Sequence, residues 1–112
     1  MVNIKLEVIG VKRIDVNRTG DMSEHYAITW LWDNGYEVFR NCGSTGLIDL
    51  IAVSKKGRVR LIDVKSYTVP NGAKEKDRKP SGVRTEAQKK LGVELLYYNV
   101  DTRKLKFVEH KK

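Results

Sequence analysis

Asp49, Asp63 and Lys65 are residues whose types and spacing could do chemistry together. They fall within GSTGLIDLIAVSKKGRVRLIDVK, residues 43–65. In it, two Val/Ile/Leu-rich runs (48–54 and 58–65) flank Lys55-Lys56-Gly57. Short runs of this composition around a glycine-ending three-residue turn predict a β-hairpin. Pairing Ser54 with Arg58 sets Asp49 opposite Asp63, and the pleat brings Lys65 onto the same face two residues on. Like charges facing each other destabilise a sheet unless something neutralises them. A divalent cation would do so. Oxygen ligands without nitrogen or sulfur suit Mg²⁺ or Mn²⁺ better than Zn²⁺. The lysine would then meet a substrate anion or the attacking water. Ile51, Val53, Val59 and Leu61 are predicted to be buried on this face, with the carboxylates at the lip of a core. The plainer alternative is that Lys65 only pairs with Asp63 while Asp49 lies in a turn.

The composition fits a single domain, residues 1–112, with a modest core. Hydrophobic residues make up 40% and charged residues 32%, unlike a disordered chain. No apolar run approaches the roughly 20 residues that span a bilayer, so no membrane partner is expected. The opening lacks a secretory h-region, which predicts an intracellular protein. Cys42 is the single cysteine, so an intrachain disulfide and a cysteine–histidine zinc site are both excluded. The net charge of +8 is unevenly spread: residues 21–34 hold three acids and no lysine or arginine, while 49–65, 66–84 and 85–112 each carry +3. A basic surface around an acidic pocket suits a protein acting on nucleic acid. Charge alone leaves DNA and RNA both open.

The elements that must position these residues follow from pattern and punctuation. Residues 1–20 read as an N-terminal arm or hairpin, in which Lys5, Lys12, Arg13 and Arg18 could touch phosphates or simply be solvated. Asp21 as N-cap and Glu24 three residues on form a capping box, predicting a helix to residue 33 or 34 that ends at Gly35. Glu24, Ala27, Ile28 and Leu31 share its sheet-facing stripe. Glu24 could therefore cap the helix or reach the pocket near Asp49, while His25 faces elsewhere. A second stripe, Met22, Tyr26 and Trp30, predicts contact with another subunit or cover from the chain's own ends. Residues 36–41 read as the first central strand. The glycine-flanked loop 41–46 then leads to Asp49, and Arg40 could hold a phosphate or cap a surface carboxylate. Residues 66–82 read as a flexible basic loop, where Lys74, Lys76, Arg78 and Lys79 could close on a nucleic-acid backbone. Thr85 and Gln88 form a second capping box opening a short helix stopped by Gly92. Gln88 could instead face the pocket and bond a ligand water or phosphate. Strands at 93–100 and 105–108 follow, with a turn between. The fold class is α/β (α+β): a mixed central β-sheet with helices on both faces.

Over residues 18–108 the chain resembles the PD-(D/E)xK nuclease superfamily, and within it the archaeal-type Holliday-junction resolvases. The shared residues are Glu24, Gly-Tyr-Glu-Val-Phe-Arg at 35–40, Ser44, Ile-Asp-Leu-Ile-Ala at 48–52 and Ile-Asp-Val-Lys-Ser at 62–66. The resemblance implies a restriction-endonuclease-like core in which Asp49, Asp63 and the backbone carbonyl of Val64 bind Mg²⁺, with Mn²⁺ able to substitute. It implies Lys65 as the catalytic lysine and Glu24 as an extra carboxylate and further candidate ligand. Arg40 and Ser44 match the phosphate-contacting positions. Asp63 stands where this branch more commonly has Glu, which bears on metal distance. The N-terminal arm and the 66–82 segment lie outside the minimal pattern.

The expected reaction is hydrolysis of a DNA phosphodiester, with the cation activating water and offsetting phosphate charge. Lys65, as a cation beside two carboxylates, would orient the water and stabilise the transition state. No Ser–His or Cys–His nucleophile is evident. A resolvase cuts two symmetric strands and so implies a homodimer, here through the first helix. The alternatives are a nicking, flap or non-specific endonuclease of the same superfamily, and a non-catalytic nucleic-acid-binding module.

Overall fold

The computed structural model describes residues 16–43, 45–68 and 84–108. In chain order they form α1 (Val16–Asp33), β1 (Glu37–Arg40), β2 (Leu50–Val53), β3 (Val59–Tyr67), α2 (Glu86–Leu91), β4 (Val93–Asn99) and β5 (Leu105–Phe107). This is the predicted order of one helix, three strands, one helix and two strands. The strands make one sheet in the order β1-β2-β3-β4-β5. All neighbours are antiparallel except β3 and β4. A parallel pair needs a crossover connection, and α2 lies on it. The sheet is therefore mixed, with helices packed on it. Among the described residues no helix is long and apolar enough to cross a membrane.

The β2–β3 hairpin has the expected register. Leu50 pairs with Ile62 and Val53 with Val59, while Ser54 N–H donates to the Arg58 carbonyl across the turn at 2.9 Å. Gly57 takes φ +85°, the left-handed position that the three-residue loop demands.

Several expectations are corrected. α1 does not begin at an Asp21 cap, because Val16–Gly20, placed in the arm by sequence, are already helical. An interior glycine costs a helix only about 1 kcal/mol, so Gly20 does not break it. Ser23 Oγ, which is buried, donates to the Thr19 carbonyl at 2.7 Å instead. Glu24 is thus mid-helix and free of any capping duty. The C-terminus is as expected: Gly35 has φ +84°, its N–H donates to the Trp32 carbonyl at 2.9 Å, and Tyr36 N–H donates to the Leu31 carbonyl at 3.0 Å. That is a Schellman closure.

The buried face of the hairpin is the other one. Leu50, Ala52 and Ile62 join Ala27, Leu31 and Leu96 in a core with no solvent exposure, whereas Val59 is 57% exposed. Both faces of the hairpin are apolar, so pleat periodicity alone did not choose between them; the long helix covers one. β1 is an edge of the sheet among the described residues, not a central strand. β3 runs through Ser66 and Tyr67, shortening the predicted loop. The second stripe of α1 is partly covered from within the chain. Tyr26 stacks on Tyr98 at 5.1 Å and Trp30 meets Phe107 at 5.7 Å, so the cover comes from β4 and β5.

Candidate active site

Asp49 directly precedes β2, at the end of the hairpin where the ladder stops. Two backbone bonds hold it: its N–H donates to the Ile62 carbonyl at 2.8 Å, and its carbonyl accepts from Asn41 N–H at 2.9 Å. Its carboxylate Oδ2 accepts from Val64 N–H at 2.8 Å, which ties the side chain to β3. Asp63 and Lys65 sit within β3 on one face of the pleat, as expected. Lys65 Nζ lies 3.4 Å from Asp63 Oδ2.

Burial, first of all, raises the Asp49 carboxyl from 3.8 to about 6. The Val64 N–H bond opposes that shift. Asp63, within hydrogen-bonding reach, adds to it, and the charge of Glu24 adds a little more. With Leu50 paired to Ile62, the next residues out, Asp49 and Asp63, face each other as expected, with the repulsion such a pair must carry.

A cleft of about 470 Å³ opens over these groups, lined by Asp49, Asp63, Val64 and Lys65 from the hairpin, Asp21 and Glu24 from α1, and Thr85 and Gln88 from the α2 end. A second cleft of about 560 Å³ shares Asp21, Glu24 and Asp49 and extends past Arg40, Asn41, Cys42 and Thr45. Glu24 reaches the site from the third turn of α1. Its Oε1 is held at 2.9 Å by Arg40 Nε, and Arg40 remains about half exposed. Arg40 thus caps a carboxylate in this structure, one of its two expected roles. Gln88 takes the first of its alternatives, completing the capping box with Thr85, and its side chain also points into the site. There it donates to Asp63 Oδ2 at 2.9 Å, so its partner is the carboxylate. His25 is exposed on α1, away from this constellation. Ser44, Lys74, Lys76, Arg78 and Lys79 lie outside the described residues.

Asn41 was not singled out from sequence. Its Oδ1 accepts from Gly43 N–H at 2.8 Å and its Nδ2 donates to the Ile48 carbonyl at 2.8 Å. It folds the loop that delivers Asp49. An Asn two residues before a glycine is a readable turn signal. The loop is tight: a Cβ on Gly46, at φ +147°, would meet Asn41 Nδ2 at 3.0 Å.

The donor set is all oxygen and carries excess negative charge, which fits a hard divalent cation. Among the described residues no group of three or more His, Cys, Asp and Glu side chains is placed to hold a metal. Among the described residues the cleft thus presents an open set of oxygen donors rather than a closed cage.

A mixed sheet with helices packed on it, an acid ahead of β2 and an Asp-x-Lys run within β3 define a PD-(D/E)xK-type nuclease with a restriction-endonuclease-like core. Residues 15–110 match the family described as archaeal Holliday junction resolvase (Hjc); the chain belongs to that family, whose superfamily uses a metal-dependent mechanism. A solved structure described as that of a bacterial homing endonuclease, I-Ssp6803I, is similar in fold, with a TM-score of 0.62 at 17% identity. The likeness covers 82% of this chain and 67% of that one. No curated protein matches the chain.

Proposed function

We propose that this protein is a Mg²⁺-dependent DNA endonuclease of the junction-resolving kind, with Asp49, Asp63 and the Val64 carbonyl holding the ion and Mn²⁺ able to replace it. The observation that carries the reading is the convergence of Asp49, Asp63 and Lys65 on one cleft, with Asp49 tied to β3 through the Val64 N–H at 2.8 Å and Lys65 lying 3.4 Å from Asp63. A cation bound there supplies Lewis acidity toward water and the scissile phosphate. Lys65, beside Asp63, orients the attacking water and stabilises charge on the phosphate. Glu24 adds negative charge at the same rim. Arg40 can exchange Glu24 for a backbone phosphate, since an exposed ion pair is worth only about 0–1 kcal/mol. Ser44, Lys74, Lys76, Arg78 and Lys79 are the further proposed contacts to DNA. Cutting two symmetric strands calls for two sites, so the working form is a homodimer, joined through the first helix, on whose second stripe Met22 and Tyr26 stay exposed.

The test compares wild type with Asp49→Ala and Asp63→Ala on four-way, flapped, linear duplex and single-stranded DNA, with and without Mg²⁺. Cleavage of four-way DNA that needs metal and is lost in both variants, with binding retained, is the expected result. Preference for flapped or linear DNA would make this another endonuclease of the superfamily. Undiminished cleavage by either variant would overturn the active-site assignment.

A further inference from the structure

α2 is a six-residue helix whose one buried side chain is a glutamine. Glu86, Ala87, Lys89, Lys90 and Leu91 are all exposed, while Gln88 is 5% exposed. The helix is therefore docked by an amide rather than by an apolar stripe. That amide is fully used. Its Oε1 accepts from Thr85 N–H at 3.0 Å, and its Nε2 donates both to Asp63 Oδ2 at 2.9 Å and to the Leu47 carbonyl at 3.0 Å. Chemistry fixes its orientation, because turning the amide over would set its oxygen against the Asp63 carboxylate and the Leu47 carbonyl.

The two ends of the Nε2 bond pair matter. Asp63 is one acid of the pair, and Leu47 stands two residues before the other, on the loop that delivers Asp49. Gln88 and Lys65 both approach Asp63 at Oδ2, so neither occupies Oδ1. We infer that Gln88 is the positioning residue of this site: one amide fixes the rotation of the Asp63 carboxylate and clamps the Leu47 backbone, and so sets the separation of Asp49 and Asp63. Metal ligands commonly owe their orientation to such a second ring of hydrogen bonds, and losing one typically weakens binding 10–100-fold. The inference rests on the proposed cation site. It assigns Gln88 to the carboxylate and not to DNA.

The experiment titrates Mn²⁺ into full-length wild type, Gln88→Met and Gln88→Ala by calorimetry, with DNA affinity measured separately in EDTA. Thr85→Ala serves as a control that disturbs the same helix cap while leaving the Asp63 contact available. We expect Mn²⁺ affinity to fall about 10-fold or more in both Gln88 variants, DNA affinity in EDTA to stay at the wild-type value, and Thr85→Ala to bind Mn²⁺ normally at a lower Tm. In wild type titrated with diamagnetic Mg²⁺ instead, the Gln88 side-chain amide resonances should shift with the midpoint of a matching Mg²⁺ calorimetric titration, a readout that needs no variant. Wild-type Mn²⁺ affinity in the Gln88 variants, or amide resonances that ignore the ion, would overturn the positioning role alone. A loss of DNA affinity in EDTA would make Gln88 a phosphate contact and overturn it too. Wild type that binds no Mn²⁺ would instead overturn the cation site itself, and this inference with it.

Discussion

Asp49 is pulled two ways: burial and the neighbouring acids favour its protonated form, and the Val64 N–H favours the ionised one. Burial and the acids prevail, and the folded carboxyl titrates near pH 6 against 3.8 for an ordinary one. A carboxyl raised on folding stabilises the protein below about pH 3.8, and that contribution is lost as pH rises through about 6. At neutral pH without metal, the pair is therefore a source of instability. Asp49→Asn keeps an acceptor for the Val64 N–H and removes one charge. In EDTA at pH 8 the variant is expected to melt a few degrees above wild type, with the gap closing as pH falls toward 4.5. Added Mg²⁺ should raise the Tm of wild type and not of the variant. The protection should fade below about pH 6, where protons compete for the same oxygens. Thermal melts across pH, with and without Mg²⁺, check all three outcomes. A variant that melts no higher than wild type at pH 8 would show that the two carboxylates do not repel.

At the scale of elements, Arg60 fastens the strands beneath α1. From β3 its guanidinium makes a forked pair with Glu94 on β4, at 2.9 and 2.7 Å, and donates to the Tyr36 hydroxyl at 3.1 Å. It lies 3.5 Å from the centre of the Phe107 ring on β5. The Glu94 bond, above all, raises its already high pKa. Removing one partner of a fully buried pair costs about 3–5 kcal/mol. Arg60→Met should cost somewhat less here, about 2–3 kcal/mol in urea unfolding, because both side chains keep some exposure. Arg60→Met combined with Glu94→Gln should cost less than the two single losses added together, since each removes the same forked contact; additive losses would mean the pair is not coupled.

The legible elements are those set by short-range rules. A three-residue turn fixed the hairpin register and hence the facing of Asp49 and Asp63, and Thr85-x-x-Gln88 fixed the start of α2. The misread features are decided at longer range. Asp21-x-x-Glu24 is a sound cap locally, yet five preceding residues extend the helix, so the motif loses to continuation. The choice of hairpin face waits on where α1 lands. The edge position of β1 depends on which strand pairs with it. The Gln88 amide had two plausible uses, and only the placement of Asp63 and Leu47 shows that its donors go to the site.

The whole molecule combines a local excess of acid with a chain of net charge +8. The acids converge on one cleft from α1, the β2 end and β3, while each of the three later stretches of sequence is basic. Such a distribution draws a polyanion in over long range and leaves the cation to neutralise the point of contact. The two effects separate by salt and by metal. Binding of DNA by wild type in EDTA is expected to weaken linearly on a log–log plot against salt, with a slope near −0.9 per phosphate neutralised. Lys76→Ala should lower the slope by about one contact's worth, weaken binding of every DNA form alike, and leave the cleavage rate at saturating DNA unchanged. Asp63→Ala should do the reverse, abolishing the cleavage step while keeping or strengthening affinity, because it removes a negative charge from the contact. A Lys76 variant with the wild-type salt slope would take that residue off the DNA path. An Asp63 variant that lost affinity in EDTA would mean that the acidic cleft contributes to DNA binding through something other than its charge.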